Sequence, residues 1–181
     1  MYRLREHGRL GLVLLLVACA ASNLFGREQS GEKHRDVDPK TGMIFPARLG
    51  IFERERGIEY DDGGYPMATY LAGRLILASV FYDKNAPFAA EYGNARDAVK
   101  IKTPTARLIS DGASNLHPAG RRALFTFDDT FLGGPKIKLM SELMMFPHRD
   151  YYLTFRITYA AAHAERARQE IDSFVKACRL P

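Results

Sequence analysis

Two patterns of apolar spacing adjoin near the C-terminal end of the chain. From Lys136 to Phe146 the side chains alternate. Ile137, Leu139, Leu143 and Met145 fall on one side, with Ser141 the exception. Lys136, Lys138 and Glu142 fall on the other, which Met140, Met144 and Phe146 make partly apolar. Tyr151–Tyr159 alternates again, Leu153, Phe155, Ile157 and Tyr159 against Tyr152, Thr154, Arg156 and Thr158. A period of two marks half-buried strands. The turn between them, Pro147–Asp150, is short enough to force antiparallel pairing. Then the spacing becomes helical: Ala164, Ala167, Ile171, Phe174, Val175 and Cys178 share a stripe, with Glu165, Arg166, Arg168, Glu170 and Asp172 mostly turned away. A hairpin with this helix over its apolar face is the expected nucleus of the fold.

Upstream, Ile51–Tyr60 reads as a strand, Asp61-Asp62-Gly63-Gly64 as a hairpin turn, and Tyr65–Leu71 as the returning strand. Asp-Gly and Gly-Gly supply the positive φ that such turns need. Ala72-Gly73-Arg74 turns the chain again into Leu75–Tyr82, apolar on both faces and therefore expected near the sheet centre. These segments make a three-stranded meander. Pro87–Lys102 predicts a helix with the stripe Phe88, Tyr92, Ala95 and Val99, begun by a proline in the first turn and ended at Thr103-Pro104. Ala106–Ile109 is a short strand, Ser110–Gly120 a loop, Arg121–Asp129 a strand, and Thr130–Pro135 a turn. Strand pairs joined by short turns predict a mainly antiparallel sheet with helices packed on it, an α+β domain over residues 43–181.

The N-terminal end follows a different pattern. Met1–Arg9 is basic and Leu10–Ala18 is apolar, a run of about ten residues where a membrane span needs roughly twenty. Residues 1–18 are therefore expected to be a signal peptide. Residues 19–42 are expected to be a flexible tether, because Ser22–Gly42 is charged and has almost nothing apolar after Phe25. About twenty such residues reach roughly 25 Å on average.

Composition changes the picture little. Apolar residues make up 46% of the 181, enough for an ordinary core. Net charge is +5, of which Arg3, Arg5 and Arg9, less Glu6, supply +2; a chain starting at Cys19 carries +3. That is too mild for a nucleic-acid partner, and there is no basic stripe interleaved with aromatics. Two cysteines exclude a disulfide framework and a CxxC zinc pattern.

Leu16-Val17-Ala18-Cys19 resembles the lipobox of bacterial lipoproteins. That resemblance implies lipidation of Cys19, whose acyl chains would anchor the chain in place of a span. Ala20 after the cysteine implies the outer membrane, facing the periplasm, in a cell that has two. The alternative is cleavage after Ala18-Cys19-Ala20, giving a soluble periplasmic or secreted protein. Phe45–Arg54 together with Tyr151–Tyr159 and the following helix resembles a group of small exported bacterial proteins of unassigned function. The element order is similar to the PsbP-like fold, an α/β/α sandwich around an antiparallel sheet. PsbP is a binding subunit, and fold alone does not carry function.

The chain lacks GxSxG, GxxxxGK and HExxH. His148-Arg149-Asp150 spells the kinase tripeptide without its companion motifs. His163-Ala164-Glu165 is half a deaminase signature without PCxxC. No catalytic, metal or cofactor residue is assigned, and no cofactor is expected. His117, Asp128, Asp129, His148 and Asp150 remain as dispersed surface candidates. The expectation is a lipid-anchored, non-enzymatic envelope domain binding a protein or small ligand, with membrane contact through the lipid. The alternative is an envelope hydrolase or metal-dependent enzyme whose site those residues assemble. Their convergence in one pocket would favour the enzyme.

Overall fold

The computed structural model describes residues 37–39, 42–61, 64–83 and 86–178. The signal segment and Cys19 lie outside the described residues. Among the described residues nine strands form one sheet, and every pair is antiparallel. They are β1 (Arg48–Leu49), β2 (Phe52–Arg54), β3 (Glu59–Tyr60), β4 (Pro66–Ala72), β5 (Ile76–Asp83), β6 (Arg107–Ala113), β7 (Arg121–Thr130), β8 (Lys136–His148) and β9 (Tyr151–Ala160). Their order across the sheet is β1-β2-β4-β5-β9-β8-β7-β6, with β3 beside β4. The described residues also form two α-helices, α1 (Phe88–Lys102) and α2 (Ala164–Ala177), the second preceded by a 3-10 turn at Ala161–His163. This is the expected α+β class. No described helix is long and apolar enough to cross a membrane.

The helices lie where their stripes predict. The backbone N–H of Thr103, the last residue before Pro104, closes α1 on Val99 O at 2.9 Å. Glu91 at the start of α1 and Lys100 and Lys102 at its end match the helix dipole. α2 buries Ala167, Ile171, Phe174 and Val175. Phe174 is the hub, its ring centroid 4.2 Å from Phe52, 5.2 Å from Tyr70 and 6.1 Å from Phe155. Cys178 packs partly buried beside this cluster as an unpaired thiol, and burial pushes its pKa up to about 12.

Several boundaries differ from expectation, each for a local reason. The first strand breaks in two: β2 pairs with one end of β4 (Glu53 opposite Leu71), and β3 with the other (Glu59 opposite Met67). The expected loop at Ser110 is strand as far as Ala113, because a bulge between Leu108 and Ser110 lets β6 continue along β7. β8 runs through Pro147 to His148, leaving Arg149 and Asp150 as the turn, with Arg149 at φ 53°. Pro147 is tolerated because β7 ends opposite Met145, so only β9 pairs there. Of the expected tether, residues 37–39 and 42 are described: Val37, Pro39 and Gly42 are exposed and Asp38 is buried. Val37 bridges Ile44, and buried Asp38 accepts the Tyr60 hydroxyl at 2.8 Å.

The register of the hairpin decides the rest. With a two-residue turn, Leu143 lies opposite Arg156 and Met144 opposite Phe155. The apolar stripes of β8 and β9 therefore face opposite sides of the sheet. α2 covers Leu153, Phe155, Ile157 and Tyr159 together with Met144 and Phe146. Leu139, Leu143 and Met145 instead join Ala123, Phe125, Phe127 and the α1 residues Tyr92 and Val99 in a second core. One helix covering the hairpin's apolar face is thus replaced by two helices on opposite faces, each over a different half of the sheet.

Candidate functional site

Three polar groupings stand out among the described residues, and two are closed on themselves. On β6, Asp111 accepts from Tyr92 Oη at 2.9 Å, Arg96 Nη1 at 3.1 Å and Arg121 Nη2 at 2.8 Å. Arg121 also lies 5.1 Å over the Tyr92 ring. Burial raises the Asp111 carboxyl, but the hydrogen bonds from Arg121, Tyr92 and Arg96 outweigh it and hold the group below its usual value. The knot ties α1 to β6 and β7.

The second grouping centres on Glu142 in β8, only 1% exposed. Its Oε1 accepts the Tyr159 hydroxyl at 2.7 Å, and its Oε2 accepts Arg122 Nε at 2.8 Å and a second bond from Arg122 Nη2. Arg122 continues to Asp172 on α2, 3.3 Å away, and to Asn115 at 3.1 Å. Burial first, then the Glu142 charge and hydrogen bond, raise the Tyr159 phenol above its ordinary range, with Arg168 opposing. These bonds join β7, β8, β9 and α2.

The third grouping is open. α1 packs on the β6–β7–β8 half of its face, and neither β4 nor β5 contributes to that second core. The remaining half of the face is carried by β4, β5 and β9. Register places Arg156 at its centre, beside Ser79 of β5, with Thr154 opposite Phe81 and Thr158 opposite Leu77. Leu71 and Met67 continue the surface on β4. Leu71, Leu77, Phe81 and Arg156 are half-buried, while Ser79 and Thr154 are buried. Among the described residues no carboxylate pairs with Arg156, and desolvation alone holds its guanidinium below the ordinary value. Thr158 Oγ1 is occupied, donating to Ser141 at 3.1 Å. Thr154 Oγ1 is not: it is buried, in a residue 8% exposed, with no hydrogen-bond partner among the described residues. Lys102, at the end of α1, is held below its usual pKa first by desolvation and then by Arg156, so the two cations share one neighbourhood.

The sequence candidates fall elsewhere. Asp128 and Asp129 sit at the end of β7, opposite Lys138 and Ile137 at the start of β8. Asp129 Oδ1 accepts its neighbour Thr130 N at 2.7 Å. His148 closes β8 at the far end, ten positions from Lys138 and so about 34 Å along the strand. Asp150 lies in the adjoining turn. His117 sits in the loop after β6, its Nδ1 accepting Ala119 N at 3.2 Å and its ring against Phe146 at 6.1 Å. The sheet therefore groups His148 with Asp150 and separates both from Asp128 and Asp129. Among the described residues no group of three or more His, Cys, Asp or Glu side chains is arranged to hold a metal. On the α2 side, a cavity of about 220 Å³ is lined by Ile51, Leu75, Ile76, His163, Arg166 and Glu170 among others.

Arg156, Thr154 and Lys102 were not singled out by sequence reasoning. The row Tyr152-Thr154-Arg156-Thr158 reads as the wet side of a strand. The available signal was that β8 presents Leu139, Leu143 and Met145 to the same side, which makes that side a core rather than a surface. No protein-family model matches the chain, and no curated protein matches it.

Proposed function

We propose that this chain is a lipid-anchored, non-catalytic cell-envelope domain that binds a ligand on the open β4–β5–β9 face. The observation that carries the reading is Arg156, a desolvated cation without a carboxylate partner among the described residues, set beside Ser79 on a half-covered sheet face flanked by apolar side chains. An isolated charge in such surroundings is unfavourable and is normally paired. A face that keeps one is suited to receiving the missing partner from outside. The lipobox-like Cys19 and the charged segment after it support an anchor and spacer at the outer membrane, with the domain in the periplasm. Helices on opposite faces of an antiparallel sheet support a PsbP-like arrangement, and with it a binding role.

The test is a panel of generic esterase, phosphatase, glycosidase and peptidase substrates, with and without divalent metals, on the full-length protein. The expected result is no turnover above background. Turnover abolished by replacing His117, His148 or Asp128 would establish an enzyme and end the binding-domain reading.

A further inference from the structure

Arg156 offers a planar fork of donors, a geometry that matches the two oxygens of a carboxylate. Thr154, two residues along the same strand and on the same face, holds a buried hydroxyl with no partner among the described residues. Lys102 adds a second positive charge from the end of α1, close enough to Arg156 to lower its own proton affinity. Level with Arg156 the face carries Ser79 on β5 and Thr69 on β4, and on either side of that polar row it is apolar: Leu77 and Phe81 on β5, Leu71 and Met67 on β4. A free inorganic anion would satisfy the charges and leave that surface wet. A neutral apolar molecule would cover it and leave the guanidinium uncompensated. Both demands are met by a molecule with one carboxylate and an apolar body. Small-molecule sites have this composition in general, mostly apolar with a few convergent polar groups.

Building on the binding-domain reading above, we propose that the β4–β5–β9 face is a binding site for a small organic carboxylate with an apolar body. Its carboxylate is received by Arg156 and Thr154 with Lys102 at the rim, and its body lies on Leu71, Leu77 and Phe81. No covalent step is involved. The buried hydroxyl and the guanidinium, both costly when unsatisfied, gain their partner in the bound state.

The experiment is calorimetric titration of the full-length protein in lipid nanodiscs with 3-phenylpropanoate, with empty discs subtracted. Three comparison probes separate the contributions: 3-phenylpropan-1-ol has the body without the charge, acetate the charge without the body, and inorganic phosphate a different anion. The expected order places 3-phenylpropanoate well ahead of all three. Arg156→Met should weaken it by about ten- to hundredfold, the range for a hydrogen-bonded charge, and Thr154→Val by about two- to tenfold. Arg156→Lys, which keeps the charge and loses the fork, should fall between parent and Arg156→Met. Because Arg156→Met removes a charge with no carboxylate partner among the described residues, its melting temperature should be no lower than the parent's, and added 3-phenylpropanoate should raise the parent's more than the variant's. Absence of binding to the parent, affinity no better than for the alcohol or acetate, preference for phosphate, or retention within twofold in both Arg156 variants would each overturn the assignment. A failed titration removes the carboxylate ligand alone; turnover in the substrate panel removes the binding-domain reading itself.

Discussion

Glu142 shows how burial changes the meaning of a residue. On the polar row of β8 it reads as a solvated carboxylate, yet it is enclosed and held by Tyr159 and Arg122. Removing Arg122 would leave a buried charge with one neutral donor. Arg122→Ala is therefore expected to cost about 3–5 kcal/mol in urea unfolding. Adding Glu142→Leu should recover much of that loss, since an apolar replacement removes the stranded charge. A double variant less stable than Arg122→Ala would show that the network contributes more than charge compensation. Gly120 is a second case. A Cβ there would meet Phe146 Cδ1 at 2.4 Å, and Phe146 is fully buried. Gly120→Ala must displace that ring and should destabilise by about 1–3 kcal/mol, as overpacking does. An unchanged denaturation midpoint would mean that Phe146 has room to move. Neither effect could be read locally, because in both the decisive atoms come from another strand.

At the scale of elements, α2 was the most legible: its apolar positions follow helical spacing, and Phe174 is the anchor they imply. With the ring 2% exposed among Phe52, Tyr70 and Phe155, Phe174→Ala should cost about 3–5 kcal/mol. A melting temperature within a degree or two of the parent would contradict the packing. The β8–β9 hairpin carries a pH effect. Desolvation first, and Arg149 second, hold the His148 pKa below its ordinary value. The unfolded chain then binds more protons than the folded one below about pH 6.5, so stability falls as pH drops through that value and levels off below the folded pKa. Thermal melts between about pH 7.5 and 5 should show this decline, and His148→Gln should flatten it. An identical slope in the variant would assign the decline to other groups. The shorter strand signals were less faithful. The N-terminal strand broke into β2 and β3, and β6 ran past its expected end, because pairing with β4 and β7 set their limits rather than their own composition.

At the scale of the whole molecule, the anchor is the property that the sequence speaks to and the described residues do not include. Replacing Cys19 by Ser is expected to move the protein from the membrane fraction to the soluble fraction and to abolish acyl labelling. Unchanged partitioning, with no acyl label on the parent to lose, would remove the lipid anchor from the proposal. The number and antiparallel pairing of the main strands, both helices and most of their buried faces were legible in the chain, because periodicity is a local property and apolar stripes must be covered. Which stripe each helix covers was not. The two-residue turn after His148 sets Leu143 against Arg156, and that parity sends the apolar rows of one hairpin to opposite sides of the sheet. From it follow the second core under α1, the enclosure of Glu142, and the half-open face where Arg156 and Thr154 lie. Local sequence determines which side chains share a face of one strand; only the pairing between strands decides which faces meet, and a site made from several strands exists only after that choice.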